Sequence, residues 1–158
     1  MRYLIVILSL FAGALSAQDL TLEHLQEIRG GSVEEAAEFL EEAGWTRDGS
    51  AKSWFYGKEK QYAENWVDIK SNSAGENYVV YLTNENSTYI AIKNDFKESG
   101  KLFKSKIKDP DIYYSYKSET EGGIFKMRKE NDSKYGSYLV VISALNGFDS
   151  LWEQYKNQ

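Results

Sequence analysis

The chain has 158 residues, with 19 lysines and arginines against 24 aspartates and glutamates, one histidine and no cysteine. The net charge of −5 argues against a general nucleic-acid-binding protein, and the lack of cysteine excludes disulfides and a cysteine nucleophile. Zinc sites need several His or Cys ligands, so we expect no metal centre and no cofactor.

The first residues have the pattern of a secretory signal peptide. Arg2 supplies a positive charge, residues 4–11 form an apolar run, and small residues lead up to Ala17. The apolar run is shorter than the roughly 18 to 20 residues that span a bilayer, which favours cleavage over a membrane anchor. A cut after Ser16 is the alternative to one after Ala17. We predict that residues 1–17 are removed and that 18–158 form one domain, periplasmic or extracellular, with no membrane span.

The sequence predicts three helices, two before the first set of strands and one before the second. The second is the clearest, because Ser32 and Glu35 have the spacing of a capping box and Gly44 follows the apolar stripe. The third helix ends at Gly100, which follows its apolar stripe as Gly44 follows that of the second helix. The predicted ranges are 22–28, 32–43 and 88–99.

The strand pattern indicates an internal duplication. Residues 78–83 and 138–143 are matching β-branched and aromatic runs, and each ends in a hydroxyl residue. Turn-forming residues, among them the pair Gly122-Gly123, separate the runs, so consecutive strands should pair antiparallel. We predict an α+β fold of two repeats, about 18–84 and 85–146, in which helices cover one face of the sheet. A closing helical segment at 149–155 should cap an edge or an end of the core.

This order of elements resembles the tandem repeat of the β-lactamase-inhibitory-protein type and is similar to small periplasmic proteins of unknown function. The resemblance spans nearly the whole chain after the signal peptide. It depends on the element order and on the helix-ending pairs Gly44-Trp45 and Gly100-Lys101. Inhibitors of that type contain disulfides that this chain cannot form, so the resemblance carries over no functional residue.

Aromatic residues make up 15% of the chain and occur on both faces of the predicted strands. Alternate strand residues point to opposite faces, so the rings cannot all be core if helices cover one face only. Tyrosine and tryptophan also suit half-exposed sheets without any function, which is the alternative interpretation. As candidates for an exposed binding surface we select four rings: Trp54, Tyr56, Tyr114 and Tyr116.

Catalytic patterns are scarce. His24 lies off the apolar stripe of the first helix, so we interpret it as a surface histidine. Asp109 and Asp111 flank Pro110 and carry oxygen ligands that calcium prefers, but they lack EF-hand spacing and suit a proline turn better. Lysines at 104, 106 and 108 alternate with other residues, which is typical of an edge strand protected against aggregation.

The sequence therefore predicts an exported, non-enzymatic binding or interaction module. Its partner would be a protein, a peptide or a glycan, contacted through an aromatic face of the sheet. A carboxylate-dependent hydrolase acting on envelope glycans stays open as the alternative, because acid-base pairs leave no sequence signature.

Overall fold

The computed structural model describes residues 19–128 and 138–157, so the predicted signal peptide lies outside it. A short 3-10 helix, Lys60–Tyr62, lies between the second and third strands. The helices are α1 (Leu22–Gly30), α2 (Val33–Glu42), α3 (Asn86–Ser99) and α4 (Phe148–Tyr155). The strands are β1 (Thr46–Arg47), β2 (Ser53–Tyr56), β3 (Asn65–Ser71), β4 (Asn77–Thr83), β5 (Lys101–Lys108), β6 (Asp111–Lys117), β7 (Glu121–Arg128) and β8 (Tyr138–Ala144).

All eight of these strands form one antiparallel sheet in the order β1-β2-β3-β4-β8-β7-β6-β5. The predicted α+β class is confirmed, and the two predicted halves merge where β4 pairs with β8. In that pair Tyr78 lies opposite Ser143, and Thr83 lies opposite Tyr138. The strand order is symmetric about this pair. The internal duplication stays a prediction, because strand order alone does not show that the two halves superpose.

The helix ends follow local sequence chemistry. Ser32 and Glu35 form the predicted capping box at the start of α2, and Gly44 ends the helix region with a φ of +87°. Helix α1 has a capping box that the sequence analysis missed, formed by Thr21 and His24. Helix α3 begins at Asn86, two residues earlier than predicted.

Helices α1, α2 and α3 cover one face of the sheet, which we call the three-helix face. Leu25 and Leu40 are completely buried and Phe96 is 1% exposed, and all three belong to a cluster with strand residues of both halves. The strand residues of this cluster are Trp54, Val67, Ile69, Val79, Tyr81, Tyr116, Phe125, Tyr138, Val140 and Ile142.

Helix α4 packs on the opposite face, which we call the α4 face. The prediction that the helices of the two repeats cover one face is confirmed, whereas the prediction that the last segment caps an edge or an end of the core is wrong. Phe148, Leu151, Trp152 and Tyr155 of α4 join a second buried cluster. The strand residues of that cluster alternate with those of the first, as the period of two requires. They are Tyr78, Val80, Tyr113, Ile124 and Val141.

The pair Gly122-Gly123 is not a turn, contrary to the prediction, but lies inside β7. Phe148 packs on Gly122 from the α4 face, and Phe96 and Phe125 approach Gly123 from the three-helix face. Glycine is needed here because the large rings of the core come close to the backbone on both sides.

Candidate interaction surface

The four rings selected from the sequence all lie on the three-helix face. Trp54 is completely buried and Tyr116 is 6% exposed, and both belong to the core cluster. Tyr56 and Tyr114 are partly buried and pack against the same cluster. The prediction that these rings lie on an uncovered face is therefore wrong. The sequence showed that alternate residues diverge, but not which set the helices would cover.

Tyr114 makes a cation–π contact, but its partner is a lysine of the same chain. The Lys93 ammonium of α3 lies 3.7 Å from the centre of the Tyr114 ring and 5.8 Å from that of Tyr89. Burial is the main cause that lowers the pKa of Lys93, and the nearby charge of Lys97 lowers it further. The cation thus fills the space over the Tyr114 ring, so this ring serves mainly to hold α3 against the sheet.

A different set of apolar residues lies on the α4 face, where Phe55 is buried at 8% exposure and Trp66, Leu82 and Leu139 are partly exposed. Strand pairing places Phe55 opposite Trp66, Trp66 opposite Leu82, and Leu82 opposite Leu139. We call this row of four side chains on β2, β3, β4 and β8 the Trp66 strip. Among the described residues, Phe55, Trp66 and Leu82 belong to neither of the two packed clusters, and Leu139 only borders the α4 cluster.

Trp66 is the accessible ring of this strip. Its side chain is partly buried, whereas the other three tryptophans, Trp45, Trp54 and Trp152, are at most 3% exposed. The Phe55 ring lies 5.5 Å from the Trp66 ring at an angle of 39°. The Lys60 ammonium lies 5.9 Å from the ring centre and also pairs with Asp48 at 2.7 Å.

Polar groups border the strip on β2 and β3. Asp68 lies two residues beyond Trp66 on the same face of β3, and its Oδ1 accepts a hydrogen bond from the Ser53 hydroxyl at 2.5 Å. Lys70 lies 3.3 Å from the other carboxylate oxygen. At the far end of the strip, Lys126 lies opposite Leu139. The surface is therefore an apolar row with a polar border, an arrangement typical of protein interfaces.

Two carboxylates are buried among the described residues, those of Asp111 and Glu121. Asp111 pairs with Lys126 at 2.9 Å and with Arg128 at 3.1 Å. Burial alone would raise the pKa of Asp111, but the hydrogen bonds and charges of these two cations outweigh it and lower the pKa. Both carboxylate oxygens of Asp111 thus contact cations, which argues against a role as calcium ligands.

Glu121 is the second buried carboxylate and holds α1 against β7. It accepts hydrogen bonds from Arg29 and, at 2.6 Å, from the Gln26 amide. A polar cleft of about 370 Å³ opens beside it, bordered by Ser99 and by the turn before β7. Asp111 lies opposite Arg128 at the other end of β7, about 23 Å from Glu121 at about 3.3 Å per residue. A glycosidase pair needs a separation of roughly 5 to 9.5 Å, so these two carboxylates cannot form one.

The remaining candidate residue, His24, makes contacts that stabilise the start of α1. His24 is partly buried, accepts a hydrogen bond from the Thr21 backbone at 3.3 Å and lies 5.1 Å from the Phe39 ring. In the described parts of the chain, no group of three or more His, Asp or Glu side chains is arranged to hold a metal ion. None of the helices within residues 19–128 and 138–157 is long and apolar enough to cross a membrane.

Comparison with known proteins found no family model, no curated protein and no solved structure that matches this chain.

Proposed function

We propose that this protein is an exported interaction module that contacts a partner through the Trp66 strip. The observation that carries the proposal is the partly exposed Trp66 in a row of apolar side chains on neighbouring strands. Phe55, Trp66 and Leu82 lie in neither core cluster of the described residues. Tryptophan is the residue most enriched among binding hot spots, since its large ring loses much water-exposed surface on contact. Export rests on the signal peptide that the sequence predicts.

The proposed partner is a protein or a peptide. A sugar ring stacks on a flat, uncovered aromatic face, but Trp66 has the Phe55 ring tilted beside it and the Lys60 ammonium over it. The neighbouring Leu82 and Leu139 offer apolar contact and no hydrogen bonds. An apolar side chain of a partner suits this surface better than a glycan, which needs polar groups to fix its hydroxyls.

The carboxylate-dependent hydrolase stays a prediction from the sequence. The two buried carboxylates do not favour it, because each pairs with a cation and they lie at opposite ends of β7.

A capture experiment with matched variants tests the proposal. The mature protein is immobilised and exposed to an extract of its own cell envelope, beside Trp66→Ala and the control Ile90→Ala. Ile90 is an exposed apolar residue of α3, on the other side of the sheet. We expect the wild type and Ile90→Ala to retain one partner in a fixed ratio. Trp66→Ala should bind it roughly thirtyfold more weakly, the effect of losing about 2 kcal/mol at a hot spot.

Tryptophan fluorescence gives a second readout on the unmodified protein. Since the other three tryptophans are buried, a collisional quencher in solution acts mainly on Trp66. The captured partner should protect the fluorescence from quenching. Unchanged capture by Trp66→Ala, or protection by soluble envelope glycans and not by any protein, would contradict the proposal.

A further inference from the structure

The two edges of the sheet differ strongly in length. Strand β1, at one edge, has two residues, whereas β5, at the other edge, has eight and pairs on one side only, with β6. Every β5 residue except Lys106 is exposed. An edge strand of this length presents a row of backbone N–H and C=O groups that can pair with another extended chain.

The regular part of β5 separates charge from apolar surface. A bulge at Phe103 interrupts the pairing with β6, and from Lys104 to Lys108 the register is continuous. Alternation therefore places Lys104, Lys106 and Lys108 on the α4 face. On the other face Ile107 is 68% exposed, and Leu102, before the bulge, is 59% exposed.

The lysines of β5 have no carboxylate partner among the described residues. Lys106 and Lys108 donate to the side-chain and backbone oxygens of Asn157 at 3.4 and 3.0 Å, and Lys104 lies over the Phe103 ring. By contrast, Lys117 on the neighbouring strand pairs with Asp149 at 2.8 Å. Lys108 lies opposite Asp111 in the register, but that carboxylate pairs with Lys126 and Arg128. The edge thus carries a row of positive charge that forms no ion pair within the described chain.

We propose that β5 is a docking edge for an extended peptide segment in which acidic and apolar residues alternate. Added as a further strand, such a segment places its acidic side chains beside Lys104, Lys106 and Lys108. Its apolar side chains then lie beside Ile107, because both strands alternate with the same period. The backbone edge supplies hydrogen bonds, and the lysines supply the selectivity for charge.

The same lysines reject a second copy of β5, since like charges directly opposite each other are unfavourable. Protection against self-association and selection of an acidic strand are therefore two results of one pattern. This docking edge is separate from the Trp66 strip and does not depend on it.

Defined peptides test the docking edge. The probes are labelled, capped peptides of identical composition, one with glutamate and valine alternating and one with them in two blocks, and a third peptide alternates lysine and valine. Fluorescence anisotropy at low salt measures their affinities. We expect the alternating acidic peptide to bind best, with amide chemical-shift changes concentrated on β5.

Charge reversal should reverse the preference. Lys104→Glu/Lys106→Glu/Lys108→Glu is expected to weaken binding of the acidic peptide about tenfold or more, through loss of three exposed ion pairs, and to bind the lysine-valine peptide instead. The control Lys52→Glu/Lys58→Glu/Lys97→Glu changes the net charge equally at exposed sites elsewhere and should leave the affinity within about twofold.

Backbone pairing is tested on the wild-type protein, so that the result does not depend on how the charge variant folds. An alternating acidic peptide with N-methyl groups on the residues that face β5 cannot donate to the edge and should lose its binding. Equal binding of the block peptide or of the N-methylated peptide would show simple attraction between opposite charges and overturn the proposal. Absence of binding by the alternating acidic peptide would overturn it as well.

Discussion

The ring of Phe148 packs directly on the backbone of Gly122, so that a Cβ atom at that position would overlap the ring. Phe148 is the first residue of α4 and is completely buried. This contact explains how the last helix is held on a sheet face instead of at an edge, because a glycine in β7 leaves room for a large ring next to the strand.

Replacing Gly122 by alanine should therefore displace α4. We expect Gly122→Ala to lower the free energy of unfolding by about 1 to 3 kcal/mol, the usual cost of an extra methyl group in a packed core. Gly30→Ala is the matched control, since nothing lies within 4 Å of a Cβ built at Gly30. Urea unfolding of the two variants measures the difference. Equal stability of Gly122→Ala and the wild type would show that α4 docks by other contacts.

Phe96 and Phe39 should differ in their contribution to stability. Phe96 is 1% exposed in the core, whereas Phe39 is partly buried and packs beside His24. Phe96→Ala should lose about 3 to 5 kcal/mol in urea unfolding, the range for a fully buried phenylalanine. Phe39→Ala should lose clearly less, because part of its ring already contacts solvent. Equal losses for the two variants would contradict this difference in burial.

Local signals in the sequence were sufficient for the helix that Ser32 and Glu35 begin, because a capping box and a stop glycine are interactions between residues close in the chain. The edge position of the lysine strand also followed from its own pattern. The pair Gly122-Gly123 led to a wrong prediction of a turn. A glycine pair that leaves room for rings from distant parts of the chain has the same local sequence pattern as a turn. Only the tertiary contacts of Phe148 and Phe96 distinguish the two.

The candidate surface was harder to predict, for a reason specific to strands. Trp54 and Phe55 are neighbours in β2 and point to opposite faces, so the choice between them depends on which face the helices cover. The sequence does not contain that information locally, and Trp54 was selected in place of Phe55 and its partner Trp66. Helix α4 in addition covers part of the face that α1, α2 and α3 leave open, so the uncovered part of that face lies to one side of α4.

Asp111 should make the stability of the protein depend on acidic pH. Its pKa is lowered in the fold, so its pairing with Lys126 and Arg128 stabilises the fold at pH values above the ordinary value of 3.8. That stabilisation is lost as the pH falls through the lowered pKa of the folded protein. Asp111→Asn should therefore lose about 1 kcal/mol or more at neutral pH, and the difference from the wild type should shrink in strong acid.

Asp149→Asn is the control for this pH dependence. The Asp149 side chain is 68% exposed, and its pair with Lys117 lies in solvent, where ion pairs contribute little. Urea unfolding at several pH values compares the three proteins. A gap between wild type and Asp111→Asn that stays constant with pH would contradict the role of the Asp111 charge.

Buried tyrosines should make the fold sensitive to alkaline pH. Burial raises the pKa of Tyr81 to about 12 and raises those of Tyr89 and Tyr155 as well. In the unfolded chain these groups ionise near pH 10, so the stability is complete below that pH and falls as the pH rises through the higher value in the fold. Each such tyrosine should lower the free energy of unfolding by about 1.4 kcal/mol per pH unit between roughly pH 10 and 12.

Absorbance of tyrosinate and circular dichroism, recorded together, should show ionisation of the buried tyrosines and unfolding in one step. Tyr81→Phe should weaken this dependence, whereas Tyr62→Phe, which removes an exposed ring, should not; ionisation of all tyrosines well before unfolding would contradict the prediction.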